Sequence, residues 1–128
     1  MTLPFEPGVP LGPLGFVPRQ AGGGTATWEY TVDPAHYNTN GVLHGGILMA
    51  LLDTAMGHAV AALVAPDGRF NAAAQFNIHF FYPIKSGLVR AQAQVKKLGK
   101  RLAVVEAEAT DEAGRVLGIA TSTHSLLP

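Results

Sequence analysis

From Ile47 to Leu63 the sequence is apolar almost all round a helix. Ile47, Leu51, Ala55, Ala59 and Leu63 recur every four residues, and Leu48, Leu52 and Ala62 widen that stripe. Only Asp53, Thr54 and His58 interrupt it. A helix without a polar face belongs inside a protein, so the rest of the chain must wrap it. Pro66-Asp67-Gly68 ends it, because proline cannot continue the hydrogen-bond ladder and Asp-Gly favours a turn. A run of about 20 apolar residues can also span a bilayer. Asp53 and His58 near its middle, and the alternating strands on either side, favour the core helix of a soluble protein.

The flanking sequence supplies the wrapping. Residues 1–24 are rich in Pro and Gly and read as a loosely turned flank closing at Gly22-Gly23-Gly24. That triplet leads into a strand pattern and not a helix, which makes it a poor phosphate loop. From Thr25, Ala26, Trp28, Tyr30 and Val32 alternate with Thr27, Glu29 and Thr31, a half-buried strand. Four more follow the helix. In residues 75–82, Phe76, Ile78, Phe80 and Tyr82 share a face; Val89, Ala91, Ala93 and Val95 alternate with Arg90, Gln92, Gln94 and Lys96. Ala103, Val105, Ala107 and Ala109 alternate with Glu106 and Glu108, and after the turn at Asp111–Gly114 the chain returns over residues 116–124. The small inward alanines suit a sheet that curves closely round a helix. The pattern predicts an α+β domain over residues 25–128, with one long helix against an antiparallel sheet of about five strands.

The same region carries the chemistry. An ionised Asp53 in an apolar helix needs partners or a route to solvent. It is either a satisfied core residue, a group at a subunit edge, or a catalytic carboxylate on a pocket wall. Gly45-Gly46 stands where the helix begins, with free backbone amides and the positive end of the helix dipole. Glycines there allow a ligand oxygen to approach the backbone, as an oxyanion site requires, though they also serve a tight strand-to-helix turn. Asn38 and His44 add polar side chains immediately upstream.

Asn38-x-x-Gly41-x-x-His44-Gly45-Gly46-x6-Asp53-Thr54-Ala55 resembles the signature of hotdog-fold acyl-CoA thioesterases of the phenylacetic-acid-pathway (PaaI-like) branch. Gln75–Pro83 with Gly87, and Lys97-Leu98-Gly99-Lys100, are similar to later stretches of that family, so the resemblance covers residues 25–127 in order. It implies the hotdog fold, a long helix wrapped by a curved antiparallel sheet. It also implies Asp53 as general base or nucleophile, with the Gly45 amide, helped by Asn38, polarising the thioester carbonyl. His44 then lines or orients the carbonyl site, and Gly46, Thr54, Ala73, Lys97 and Lys100 are candidate substrate-binding positions. Relatives often carry Ser or Thr at the start of the following strand to orient water. This chain has Ala72-Ala73-Ala74 there, with Asn71 and Gln75 the only polar substitutes nearby.

Spacing adds a constraint independent of any family. Gly45 and Asp53 are eight residues apart, about 12 Å along one helix, too far for one carbonyl to meet both. A catalytic motif therefore requires at least a dimer, with Gly45 of one subunit beside Asp53 of another; the resemblance implies the same, as a dimer or a dimer of dimers.

Other features narrow the function. At 128 residues with zero formal net charge, nothing favours nucleic acid or anionic membranes. The absence of cysteine excludes disulfides, thiolate metal sites and a Cys nucleophile. Met1–Pro7 has neither a basic region nor an apolar core, so no signal peptide is expected and a cytoplasmic location is the default. His36, His44, His58, His79 and His124 show no paired metal spacing, so no metal is expected, and no cofactor beyond the CoA of the substrate is implied. His58 lies about 140° round the helix from Asp53 and reads as a satisfied interior or interface residue. His124 follows Ser122 on one strand face, without the Gly-x-Ser-x-Gly elbow of a serine hydrolase. Lys96, Lys97, Lys100 and Arg101 are either a solvated turn or contacts for CoA phosphates. Two rival functions stay open: a hotdog enoyl-CoA hydratase, for which no second acid/base is evident, and a non-catalytic acyl-CoA sensor.

Overall fold

A computed structural model describes residues 5–128. The start of the stretch read for a leader, residues 1–4, lies outside them. The chain order is β1 (Val17–Gly22), β2 (Thr25–Thr31), α1 (Gly45–Val64), β3 (Phe70–Phe80), β4 (Leu88–Leu98), β5 (Leu102–Thr110) and β6 (Val116–Leu127). All strands pair antiparallel in one sheet of order β1-β2-β4-β5-β6-β3. The sheet curves around α1, which is the hotdog arrangement.

Six strands form the sheet rather than about five, because the stretch read as flank contributes β1. Proline 18 hid it: a β-bulge between Pro18 and Gln20 accommodates the ring, and the strand lies at the sheet edge where a missing N–H is tolerated. Arg19 of β1 and Arg90 of β4 both bond Glu29 of β2, at 2.6 and 2.8 Å, which ties three strands across a buried carboxylate. The strand after the helix also begins earlier than its alternation suggested. It starts at Phe70, and its exposed alanines gave no period to read.

α1 begins where His44 accepts a hydrogen bond from the Gly46 amide at 2.8 Å, and its end passes into a short 3-10 turn at Ala65–Asp67 closed by Gly68 in the left-handed region. By length and composition alone it could cross a membrane. In the fold, Leu51, Leu52, Ala55, Met56, Ala59 and Val60 are all 0–1% exposed. Alanines 91, 93, 103, 107 and 109 face it from β4 and β5, almost fully buried, and their small side chains allow the sheet to pack close.

Candidate functional site

The loop between β2 and α1 is held from several sides. Asp33 caps the 3-10 turn at Pro34–His36. The Tyr30 hydroxyl lies 2.6 Å from His36 Nδ1, the Tyr37 hydroxyl donates to the Lys85 carbonyl, and the Leu43 amide donates to Ile84 at 2.7 Å. Asn38 folds the loop on itself: its Oδ1 accepts from the Asn40 amide at 2.9 Å and from Val42 at 3.4 Å. The Asn38 Nδ2 donors make no hydrogen bond among the described residues, which leaves them available to a ligand.

The two glycines divide the work at the helix start. His44 Nδ1 takes the Gly46 amide proton, so a neutral His44 ring carries its own proton on the exposed Nε2. The Gly45 amide has no partner among the described residues. Phe80 closes over this position: a Cβ on Gly45 would stand 3.3 Å from the ring. Leu43, Gly45, Leu48 and residues 80–84 surround an apolar groove of about 300 Å³ here. Gly46, expected to bind substrate, has its amide already engaged by His44, whose part is to cap the helix.

Asp53 is exposed, which excludes the reading as a satisfied core residue. The apolar stripe is interrupted on the one side of α1 that the sheet leaves uncovered, along Gly46, Met49, Ala50 and Asp53. Asp53 lines a cleft of about 370 Å³ between α1 and the N-terminal segment, with Leu11, Leu14, Phe16, Trp28, Ala50, Thr54 and His58. Thr54 donates to the Ala50 carbonyl of its own helix at 2.7 Å. Asp53 and His58 share this cleft despite their angular separation, because the cleft is wide and Thr54 lies between them.

His58 is not satisfied as expected. Its ring packs 4.8 Å from Trp28 and 5.6 Å from Phe5 between centroids. Its Nδ1 and the Trp28 Nε1 are buried without partners among the described residues. Burial pushes the His58 pKa down.

His124 is the opposite case. Its Nε2 lies 2.7 Å from Ser122 Oγ and its Nδ1 2.8 Å from Asn71 Oδ1, so Ser, His and Asx stand in the connectivity of a hydrolytic triad. Ser122 and His124 are each 1% exposed, and Ser122 Oγ also reaches Met56 Sδ at 3.3 Å. No substrate carbonyl can reach that hydroxyl. Asn71 is engaged too, since its Nδ2 donates to the Gly57 carbonyl at 3.1 Å. Its bonds to Gly57 and His124 fix the direction of its amide, with one N–H and one oxygen lone pair unused. Sequence reasoning placed Ser122 and His124 on one face but missed Asn71 as their partner, for no spacing links positions 53 residues apart.

Ala73 sits exposed on β3 opposite His124 in β6, next to a bulge before Gln75. Lys97 and Lys100 lie exposed around the β4–β5 turn. Arg69, just past the end of α1, donates to the Lys100 carbonyl at 2.9 Å, which puts this turn at the opposite end of the helix from Gly45. Within one chain, then, the lysines and Gly45 are not brought together. Among the described residues no group of His, Asp and Glu could hold a metal. A concavity of about 750 Å³ lies on the sheet among Gln92, Gln94, Glu106, Glu108 and Thr121 and contains none of the candidate residues.

Residues 40–117 match the model of the thioesterase superfamily. An esterase of Saccharolobus solfataricus is 31% identical over 93 residues, covering 73% of this chain and 65% of that protein. The chain thus spans just under two-thirds of that relative. The proofreading thioesterase EntH of Klebsiella pneumoniae is 29% identical over 102 residues, 80% of this chain and 74% of EntH. The PaaI protein from the phenylacetic acid degradation operon of E. coli superposes with a TM-score of 0.83 at 25% identity, covering 90% of this chain and 81% of PaaI.

Proposed function

The chain belongs to the thioesterase superfamily, and from that premise we propose that it hydrolyses an acyl-CoA thioester to the free acid and CoA in the cytoplasm. Asp53 either takes a proton from the attacking water or itself attacks the thioester carbon, giving an anhydride that water then opens. In both routes the C–S bond breaks and CoA leaves as the thiolate. The Gly45 amide, with Asn38 Nδ2, stabilises the developing oxyanion.

One observation carries this reading. The free amide of Gly45 and the exposed carboxylate of Asp53 line two separate clefts on the same helix, about 12 Å apart along its axis. Each cleft holds half of a thioester hydrolase. Two copies with antiparallel helices would bring the halves together twice, as a dimer or a dimer of dimers. The second edge of β3, unpaired among the described residues, is compatible with such an assembly. The apolar wall of Leu11, Leu14, Phe16 and Trp28 beside Asp53 suits the acyl group, and Lys97 and Lys100 are available for CoA phosphates.

A second reading, a non-catalytic acyl-CoA binder, is favoured by one observation: Ala72–Ala74 offer no hydroxyl and the Asn71 amide is already held by Gly57 and His124. Thiol release from aryl, short-chain and medium-chain acyl-CoAs separates the two, and the absence of cysteine keeps the thiol assay free of protein background. Turnover that falls about a hundredfold or more in Asp53→Asn supports hydrolysis. Binding without turnover on any ester supports the binder.

A further inference from the structure

α1 packs through Leu, Ala and Val, and apolar packing has no direction. Such contacts decide which stripe of the helix is buried, and hydrogen bonds add a directional constraint on its rotation. Among the described residues two polar side-chain contacts join α1 to the strands: the hydrogen bond from Asn71 Nδ2 of β3 to the Gly57 carbonyl, 3.1 Å, and the approach of Ser122 Oγ of β6 to Met56 Sδ, 3.3 Å. His124 links both side chains, at 2.8 Å to Asn71 and 2.7 Å to Ser122. Gly57 follows Asp53 by four residues, about one turn along the same side of the helix.

The Gly57 carbonyl dictates the protons of the whole chain of bonds. A carbonyl only accepts, so the Asn71 amide must turn its NH2 towards it and its Oδ1 towards His124. That oxygen in turn requires a proton on His124 Nδ1. In the neutral ring Nε2 then accepts from the Ser122 hydroxyl, whose single proton is thereby directed to the ring, so the approach of Oγ to Met56 Sδ is a packing contact. Burial pushes the His124 pKa down while the Asp53 charge pulls it up, and the net direction is down. No other charged group faces the ring from its strand partners, Ala73 on β3 and Ala103 on β5.

We propose that His124, with Asn71 and Ser122, is a positioning network that sets the rotation of α1 and so directs Asp53 to the reacting thioester. His124 never touches substrate. It acts through Asn71 and Gly57, in the Nδ1–H form only. The proposal rests on the role given above to Asp53.

The test pairs two substitutions that differ in which ring nitrogen they imitate. In His124→Asn the side-chain amide nitrogen reaches roughly the Nδ1 position and still donates to Asn71. In His124→Gln it reaches roughly the Nε2 position and leaves Asn71 Oδ1 unpaired. His124→Asn is expected to keep kcat within about threefold of wild type, and His124→Gln to lose about tenfold or more with KM unchanged. Equal kcat in both variants, whether high or low, overturns the proposal while leaving hydrolysis standing. The ring tautomer of wild-type His124, read by 15N NMR, needs neither turnover nor a variant that folds. Nδ1–H supports the network and Nε2–H overturns it. If wild type turns over no ester, the hydrolase reading fails by itself and the tautomer still decides the network.

Discussion

Two walls enclose the same helix by different physics. On one side β2, β4 and β5 present Ala26, Trp28, Ala91, Ala93, Ala103, Val105, Ala107 and Ala109, an apolar surface with little room to spare. On the other, β6 and β3 set Ser122, His124 and Asn71, joined by hydrogen bonds, among the apolar Ala120, Leu126, Phe76 and Ile78. The first wall supplies the burial that holds the helix in place. The second supplies direction, because hydrogen bonds weaken steeply when donor and acceptor turn away. Asp53 emerges on the stretch of α1 that neither wall covers. The difference suggests that the apolar wall decides whether the protein folds, and the polar wall decides where its carboxylate points.

Mutations can break that contrast. Ala91 is fully buried, so Ala91→Leu must force side chains or backbone apart; we expect a loss of about 1–3 kcal/mol in urea melts. Any variant that remains folded should keep its kcat per folded molecule, since the polar wall is untouched. A normal melt with collapsed kcat would show that the apolar wall also directs Asp53. At the helix start, a Cβ on Gly46 would stand 3.0 Å from His44 Nδ1, so Gly46→Ala displaces the cap. Losing a capping bond costs about 1 kcal/mol, visible as a lower melting temperature. An unchanged melt would mean that the cap contributes nothing.

The smallest expected effect concerns the half-buried His58 and the buried His124, which sharpen the same comparison. Both have pKa values pushed below the usual 6.5, His58 by burial and His124 by burial against the pull of Asp53. Below pH 6.5 the unfolded chain takes up protons at these rings and the folded chain resists. Their stabilising share is therefore complete above that pH and is lost as the pH falls through the folded values. Stability should decline on acidification from about pH 7.5 to about pH 5.5, and His58→Phe should lessen the decline. An undiminished slope in His58→Phe would assign the effect elsewhere. His58 lacks the partners that His124 has. An apolar ring in its place leaves no donor or acceptor stranded, so the variant is expected to fold.

Much of this was legible in residue order. The long helix, its termination at Pro66-Asp67-Gly68 and the alternating strands from Thr25 and Val89 are local patterns, and each formed close to where its period placed it. The position of Gly45-Gly46 at the helix start was equally readable, with the amide of Gly46 engaged by His44 and that of Gly45 without a partner among the described residues. β1 escaped because Pro18 and neighbouring glycines mask its alternation, and the early part of β3 because Ala72–Ala74 have no period. The exposure of Asp53 stayed one reading among three because an apolar stripe says how much of a helix is buried, not which narrow side the sheet leaves open.

Taken alone, the sequence determined that a nearly nonpolar helix sits inside an antiparallel sheet, and that a glycine pair and a carboxylate stand too far apart on it to serve one carbonyl. These follow from periodicity and from the rise of a helix, which depend only on neighbours in the chain. Tertiary structure alone decided that Asn71 and His124, 53 residues apart, meet beneath the helix, and that Ser122 is sealed from any substrate. It also left His58 Nδ1 without a partner among the described residues. Such outcomes depend on which strands lie side by side, and sheet pairing joins positions that no local pattern connects.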